Sequence, residues 1–152
     1  MERQEEKINR VLVHLFNDVL QLEEDSLRAA GVTGLSMREI HILEAVCAAG
    51  EANTMTALAR QLRVTVGSLT VAMKTLERKG YVTRQRSTSD KRRIHVLPTD
   101  RAWQVEDKHR DYHRQMTRAV MAAVPPEQLS AVVEGLEAAW RYFNGQMKEE
   151  GQ

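Results

Sequence analysis

The spacing of apolar residues in this chain changes at Gly80, and this change limits the folds it can adopt. Before Gly80, apolar residues recur at helical spacing in four segments. After it, YVTRQR and KRRIHVLPT alternate as strands do, with STSD as the turn between them. Helical spacing resumes after Asp100, a predicted cap, runs to about Val124 and returns after two prolines. The sequence predicts a mainly α fold with a small β-hairpin.

Hydroxyl residues mark the starts of the middle helices. Ser36 and Glu39 have the spacing of a capping box, and Thr54 and Thr65 each precede a helical segment. The segments Thr54–Leu62 and Thr65–Lys79 are separated only by a short turn at RVT, as in a helix-turn-helix. We call the first the bracing helix and the second the reading helix. The hairpin that follows would be a wing.

The net charge of +1 hides an uneven distribution. Between Lys74 and Arg93 there are eight Lys or Arg and two Asp or Glu, a local balance of +6, which leaves −5 for the remaining residues. A basic patch on an acidic body indicates a polyanion partner, although a solvated charged face would give the same count. Placed on a wing beside a helix-turn-helix, the patch favours DNA.

The second helix of a helix-turn-helix enters the major groove, so its early residues are the candidate base contacts. From the reading helix these are Thr65, Val66, Gly67, Ser68, Thr70 and Lys74. From the wing, the candidate contacts are Arg84, Arg86, Asp90, Lys91, Arg92 and Arg93. Asp90 is expected to hold a neighbouring arginine, to form an Asx turn, or both. Gly67 costs helix stability, which close approach to DNA or tight packing against the bracing helix would explain.

The run from Leu58 to Thr99 resembles the DNA-binding core of the MarR family of bacterial regulators. The matching features are the winged helix, the D-x-R wing element Asp90-Lys91-Arg92, and a strand end at Leu97-Pro98-Thr99 where the family has Leu-Thr. The resemblance covers the whole chain and implies one domain, 1–152. Residues 36–99 would form the winged helix, and residues 5–30 and 100–148 the dimerisation helices. It also implies a homodimeric repressor on a pseudo-palindromic double-stranded operator.

Within the family, INRVLVHLFNDVLQLEEDSL, LSMREIHILEAV and HRDYHRQM resemble FabT-type repressors of fatty-acid biosynthesis. That resemblance implies a response to an acyl chain, carried by acyl carrier protein, and requires no cofactor. A ligand tunnel between the first, second and fifth helices would be lined by Leu15, Phe16, Val19, Met37, Ile40, His41, His109 and Met116. A response to small aromatic or drug-like ligands is a further alternative.

Zinc is another alternative effector. His109 and His113 are four residues apart, so both lie on one face of a helix. Zinc-responsive members of the family imply the ligand set Glu24 (or Glu23), His41, His109 and His113, with N and O donors. The same histidines could instead form a buried hydrogen-bonded cluster. The single cysteine, Cys47, is expected to be an inert core residue.

Other function classes find little support in the sequence. It has no glycine-rich phosphate loop, no G-x-S-x-G and no H-E-x-x-H, so an enzyme is not expected. An interaction module without DNA binding would leave the basic patch unexplained. No apolar run reaches the length of a membrane span, and MERQEEKINR lacks the apolar stretch of a signal peptide. A cytoplasmic protein without a membrane partner is expected.

Overall fold

A computed structural model describes the backbone of residues 3–149 and the side chains of residues 3–145. Within these bounds there are six α-helices and one antiparallel hairpin. Two 3₁₀ turns, Gly50–Ala52 and Pro126–Gln128, lie between helices. The elements are α1 (Gln4–Ala29), α2 (Met37–Ala48), α3 (Met55–Leu62), α4 (Val66–Arg78), β1 (Val82–Arg86), β2 (Ile94–Pro98), α5 (Asp100–Ala123) and α6 (Leu129–Glu149). The mainly α fold with a small β-hairpin is confirmed.

The chain divides between Tyr112 and His113 into two compact units. The first contains α1 to α4, the hairpin and the N-terminal half of α5. The second contains the rest of α5 and α6. The helix-turn-helix and the wing therefore belong entirely to the first unit.

The predicted caps at the starts of α2, α3 and α4 are confirmed. The Glu39 amide donates to Ser36 Oγ at 3.2 Å, and the Ser36 amide donates to Glu39 Oε2 at 2.8 Å, which completes the capping box. Thr54 Oγ1 accepts from the Ala57 amide, and Thr65 Oγ1 accepts from the Ser68 amide. Each hydroxyl satisfies an amide that has no partner within its helix.

The predicted cap of α5 is wrong by one residue. Asp100 is the first residue of the helix, and the preceding Thr99 accepts from the Trp103 amide through its carbonyl. The Thr99 hydroxyl donates to the carbonyls of Gly80 and Tyr81, at 2.8 and 3.0 Å. Thr99 therefore fastens the start of α5 to the loop that follows α4.

The wing is anchored at its base. Strands β1 and β2 pair from Val82 with Pro98 to Arg86 with Ile94. Pro98 thus lies at the end of the ladder, where its missing amide costs least. On the other side of β2, the Val96 amide donates to the carbonyl of Asn53, just before α3. The hairpin is consequently held by the N-terminal end of the bracing helix.

The core of the first unit lies between the helix-turn-helix, α2 and the wing. Its most deeply buried apolar side chains, each at most 1% exposed, include Leu43, Leu58, Leu69, Met73, Leu76, Val82 and Val96. These residues come from α2, α3, α4, β1 and β2. Because these residues pack in one core, their burial fixes the position of the reading helix relative to the wing.

An ion pair joins the C-terminal end of α4 to the N-terminal end of α2. The Lys79 ammonium donates to Glu39 Oε1 at 2.7 Å and to the Gly34 carbonyl at 2.9 Å. Burial of Glu39 opposes its ionisation, but the hydrogen bonds from Lys79 and from the Ser36 amide outweigh burial and lower its pKa.

Glu39→Gln should therefore destabilise the protein by about 1–2 kcal/mol at pH 7, because it removes a charge-assisted hydrogen bond from a partly buried site. Since the folded-state pKa of Glu39 lies below its ordinary value of 4.5, the stabilisation is complete above pH 4.5 and is lost as pH falls through the folded-state value. Urea unfolding between pH 3 and 7 measures the difference. The matched control is Glu24→Gln, which disrupts an exposed pair with Arg28 and should change stability little at any pH.

Candidate functional site

A groove on the first unit brings the bracing helix, the reading helix and the wing together. Its lining consists of Thr54, Met55, Thr56, Ala57, Arg60, Val66, Thr70, Arg92, Arg93 and Ile94. Four of the predicted DNA contacts, Val66, Thr70, Arg92 and Arg93, are therefore neighbours in space. Arg60 was not predicted. It is exposed one turn after Thr56, and the i, i+4 spacing of the two residues on the bracing helix was the signal that could have identified it.

The exposed cations of the wing lie at its tip and along its strands. Arg86, Lys91, Arg92 and Arg93 are all exposed, as are Thr65, Gly67, Ser68 and Lys74 of the reading-helix region. Such side chains can reach phosphates while the helix lies in a groove. The basic patch predicted from the sequence therefore forms one surface with the start of the reading helix.

Asp90 combines both of its expected roles. Its Oδ1 accepts from the Arg92 amide at 3.0 Å, which is the Asx turn, and its Oδ2 lies 3.6 Å from Arg93 Nε. The Asp90 carbonyl also accepts from the Arg93 amide, which closes the hairpin turn. The carboxylate thus shapes the turn and restrains one arginine at the tip.

Arg84 differs from the other predicted contacts because it is already paired. Its Nε and Nη2 donate to Glu77 Oε2 at 2.9 and 2.5 Å, and its side chain is 25% exposed. The hydrogen bonds from Arg84 lower the pKa of Glu77 against a smaller opposing effect of burial. Arg84 therefore ties β1 to the reading helix, and a direct contact with DNA would have to compete with this pair.

Gly67 has no internal packing reason to lack a side chain. A Cβ built at this position would meet only Thr65 Oγ1, at an ordinary 3.9 Å. The alternative of tight packing against the bracing helix is therefore wrong. Its φ is not in the left-handed region either. Close approach of DNA to the first turn of the reading helix stays a prediction at this position.

A buried polar cluster joins α1, α2 and α5 in the first unit. Glu23 Oε1 accepts from His109 Nε2 at 2.5 Å and lies 3.4 Å from His41 Nε2. Glu23 and His109 are 2% and 1% exposed. Burial opposes ionisation of Glu23, but the hydrogen bonds with His109 and His41 outweigh it and lower its pKa. On the other side of the ring, Glu106 Oε2 is 3.7 Å from His109 Nδ1, and burial raises the pKa of Glu106.

The cluster contains Glu23 and not Glu24. Successive helical residues differ by about 100° in direction, so only one of this pair can face the core. Glu24 instead accepts from exposed Arg28 at 2.7 Å. Among the predicted zinc ligands, His41 and His109 approach Glu23, while His113 follows one turn later on α5 and belongs to the second unit.

A cavity of about 360 Å³ lies in the first unit beside this cluster, and its volume is within the range of roughly 300–1,000 Å³ typical of ligand pockets. It is lined by Leu20, Met37, Arg38, His41, Ile42, Leu62, Val64, Leu69 and Ala72. The lining is mostly apolar, with Arg38 and His41 as polar groups. Leu69 and Ala72 belong to the inner side of the reading helix.

Of the eight predicted effector residues, only Met37 and His41 line this cavity. Ile40 and His109 are buried in the core, whereas Leu15 and Phe16 are 44% and 54% exposed. Val19 is half-buried, and its carbonyl accepts from the Tyr112 hydroxyl. Met116 belongs to the second unit. The cavity is closer to the reading helix than the tunnel predicted from the sequence.

Cys47 lies half-buried on α2. Burial, reinforced by Glu106 and Asp107, raises its pKa to about 12. A thiol with so high a pKa is protonated at neutral pH and is a poor nucleophile.

A bracing helix, a reading helix, a two-stranded wing and a cationic groove between them define a winged helix-turn-helix protein. Residues 35–94 match the MarR family. Over these residues, which contain the helix-turn-helix and most of the wing, the chain resembles the DNA-binding transcriptional regulators of that family.

Solved structures of bacterial regulators are similar to the chain over nearly its whole length. FabT of Streptococcus pneumoniae, solved in complex with DNA, is 28% identical with a TM-score of 0.85, and the match covers 94% of this chain and 99% of that one. MepR of S. aureus, also solved with DNA, is 17% identical with a TM-score of 0.69, over 93% and 99% of the chains. AbsC of Streptomyces coelicolor, a MarR family regulator, is 20% identical with a TM-score of 0.68, over 95% and 98%.

Comparison with curated protein sequences gives no match. Among the helices of residues 3–149, none has a stretch long and apolar enough to cross a bilayer.

Gly67→Ala should stabilise the fold and weaken DNA binding together. The exposed helical position gains up to about 1 kcal/mol in helix propensity, while the new methyl group keeps the helix from approaching DNA closely. We expect a higher melting temperature and a loss of about tenfold in affinity, equivalent to ~1.4 kcal/mol. Thermal unfolding and fluorescence anisotropy with a bound duplex measure the two effects.

Gly135→Ala is the matched control, because a Cβ at Gly135 meets nothing within 4 Å, as a Cβ at Gly67 meets no closer atom than 3.9 Å, but Gly135 lies on α6. It should raise stability and leave affinity unchanged. If Gly67→Ala bound DNA as tightly as the unchanged protein, close approach at Gly67 would be ruled out.

Proposed function

We propose that the chain is a homodimeric repressor of fatty-acid or lipid biosynthesis genes and responds to an acyl chain, such as one carried by acyl carrier protein. Its likeness to FabT of Streptococcus pneumoniae, at 28% identity and a TM-score of 0.85, supports this function over a response to drug-like ligands. The likenesses to MepR and AbsC, at 17% and 20% identity, support the fold alone.

The observation that carries the proposal is the position of the apolar cavity. Leu20 and Ile42 supply apolar surface to it, and Leu69 and Ala72 come from the reading helix itself. An acyl chain in this cavity would contact the inner side of the helix whose outer side approaches DNA. Arg38 and His41 could bind the polar group at the end of the chain.

Exposed apolar side chains support the dimer. Along α1, Ile8, Val11, Leu15 and Leu22 are between 44% and 60% exposed. In the second unit, Val133, Leu136 and Trp140 are between 52% and 65% exposed. A helical face this apolar favours burial against another chain, and a second copy on a two-fold operator would supply it.

Zinc is the second candidate effector, and the buried cluster favours it. Two imidazole nitrogens approach one carboxylate oxygen, Glu23 Oε1, in a set of N and O donors that suits zinc. Glu106 on the far side of His109 occupies the place of an outer carboxylate that orients a ligating histidine. Against zinc, the same hydrogen bonds pair Glu23 Oε1 with both imidazoles without a metal.

Mobility shifts on the upstream region of the gene test the effector. An acyl-loaded carrier protein should increase operator retention, and zinc should have no effect. Met37→Glu should abolish the acyl response, because it adds a charge at a partly buried position in the lining of the apolar cavity. His109→Gln lies outside the cavity lining and keeps a hydrogen-bond donor for Glu23, so it should retain the acyl response and would lose a zinc response. Retention that depends on zinc alone would assign the site to the metal.

DNA affinity should fall steeply with salt, because phosphate contacts release counterions. Arg92→Ala should weaken all duplexes similarly and reduce the magnitude of the slope of log K against log salt by about 1. Ser68→Ala should instead change the preference among sequences. Affinity that is flat between 50 and 200 mM salt would contradict a cationic DNA interface.

A further inference from the structure

The outward face of the reading helix combines a glycine with an exposed aliphatic side chain. Gly67, Val71 and Lys74 are spaced i, i+4 and i+7, so they share the face opposite buried Leu69 and Met73. Val71 is 67% exposed, and Val66 at the start of the helix is 45% exposed. Val71 was not among the predicted DNA contacts, because a valine at helical spacing is normally assigned to the core.

The threonines of this helix point their hydroxyl groups back to its backbone. Thr70 Oγ1 donates to the Val66 carbonyl at 2.7 Å, and Thr75 Oγ1 donates to the Val71 carbonyl at 3.3 Å. With its only hydroxyl proton engaged, Thr70 offers an external partner its methyl group and an acceptor. Thr65 Oγ1 is engaged as an acceptor, because it caps the helix by accepting from the Ser68 amide.

Side chains that read bases by paired hydrogen bonds are scarce on this helix. Between Thr65 and Thr75 there is no Arg, Asn, Gln, Asp or Glu, and Lys74 is the only charged residue. Guanine and adenine are normally read by Arg or Lys and by Asn or Gln, respectively. The first two turns therefore offer methyl groups where other reading helices offer amide or guanidinium groups.

The surroundings of this apolar strip match DNA in charge. Lys74 and Arg78 continue the same face toward the C-terminal end of α4, and Arg92 and Arg93 of the wing share a groove with Val66 and Thr70. Cations on both sides would bind phosphates while the strip lies in the groove. Gly67 adds no bulk that would keep Val71 away from the floor of the groove.

We propose that the reading helix selects its operator through the 5-methyl groups of thymines in the major groove, with Val71 as the central contact and Val66 and the Thr70 methyl beside it. Thymine alone among the four bases presents a methyl group there. The inference rests on the DNA-binding function above and does not depend on which genes or which effector the protein serves.

The test uses duplexes that the full-length protein selects from a random 40-base-pair library. Each thymine of a selected duplex is replaced in turn by deoxyuridine, which keeps every hydrogen-bonding group and removes only the methyl. Affinity should fall about fourfold at each thymine that faces the reading helix, as expected for one methyl-sized group no longer buried. Where a thymine is changed to cytosine, 5-methylcytosine should restore part of the lost affinity.

Val71→Ala assigns the contact. At one thymine in each half-site, the ratio of affinities for thymine and deoxyuridine should fall from about four to about one, since the contact is then already lost. Val71 is exposed, so the variant should unfold as the unchanged protein does. Arg86→Ala is the control, because loss of a cation should weaken thymine and deoxyuridine duplexes equally and leave the ratio unchanged.

Two negative results differ in meaning. Equal affinity for all deoxyuridine and thymine duplexes would overturn methyl recognition while leaving DNA binding intact. Enrichment of no sequence from the library would overturn sequence-specific DNA binding, and methyl recognition with it.

Discussion

A buried carboxylate between two imidazoles connects the parts of the first unit. Glu23 comes from α1, His41 from α2 and His109 from α5, and both rings approach the same oxygen, Glu23 Oε1. A charge at 2% exposure is tolerated only when it is paired and hydrogen-bonded, so α1 cannot shift relative to α2 and α5 without a large cost. The cluster also adjoins the cavity through His41. A ligand that altered His41 would therefore act on the joint that holds three helices together.

The surface predicted to bind DNA depends on a second set of polar connections. Arg84 joins β1 to Glu77 of the reading helix, Thr99 joins β2 to the loop after that helix, and Asn53 joins β2 to the bracing helix. The acceptor in each connection is a backbone carbonyl or a carboxylate. Because these hydrogen bonds restrain the hairpin on both sides, the wing and the reading helix should move as one body. A rigid support of this kind is what allows a few exposed side chains to be placed precisely in a groove.

Local signals in the sequence were sufficient for most of the fold. A helix start is stabilised when a hydroxyl oxygen accepts from the amide three residues later. Ser36, Thr54 and Thr65 could therefore be assigned as caps from spacing alone. The predictions that the structure corrected depend on residues distant in sequence. Thr99 precedes α5 in place of Asp100 and donates its hydroxyl to the carbonyls of Gly80 and Tyr81, and Arg84 is paired because Glu77 lies on the neighbouring reading helix. The cavity could not be located, because it forms between helices whose packing angle no local pattern encodes.

The two sides of the reading helix suggest how an effector and an operator could compete or cooperate. Leu69 and Ala72 border the cavity, whereas Gly67 and Val71 face outward within the same two turns. A helix is stiff over this length, so displacement of its inner side displaces its outer side equally. A ligand that fits only when the helix is seated for DNA would strengthen repression, and one that requires a displaced helix would relieve it. By reciprocity, the operator must change the affinity for that ligand by the same factor. The sign of regulation therefore depends on whether the ligand binds more tightly when the reading helix is in its DNA-bound position or when it is displaced.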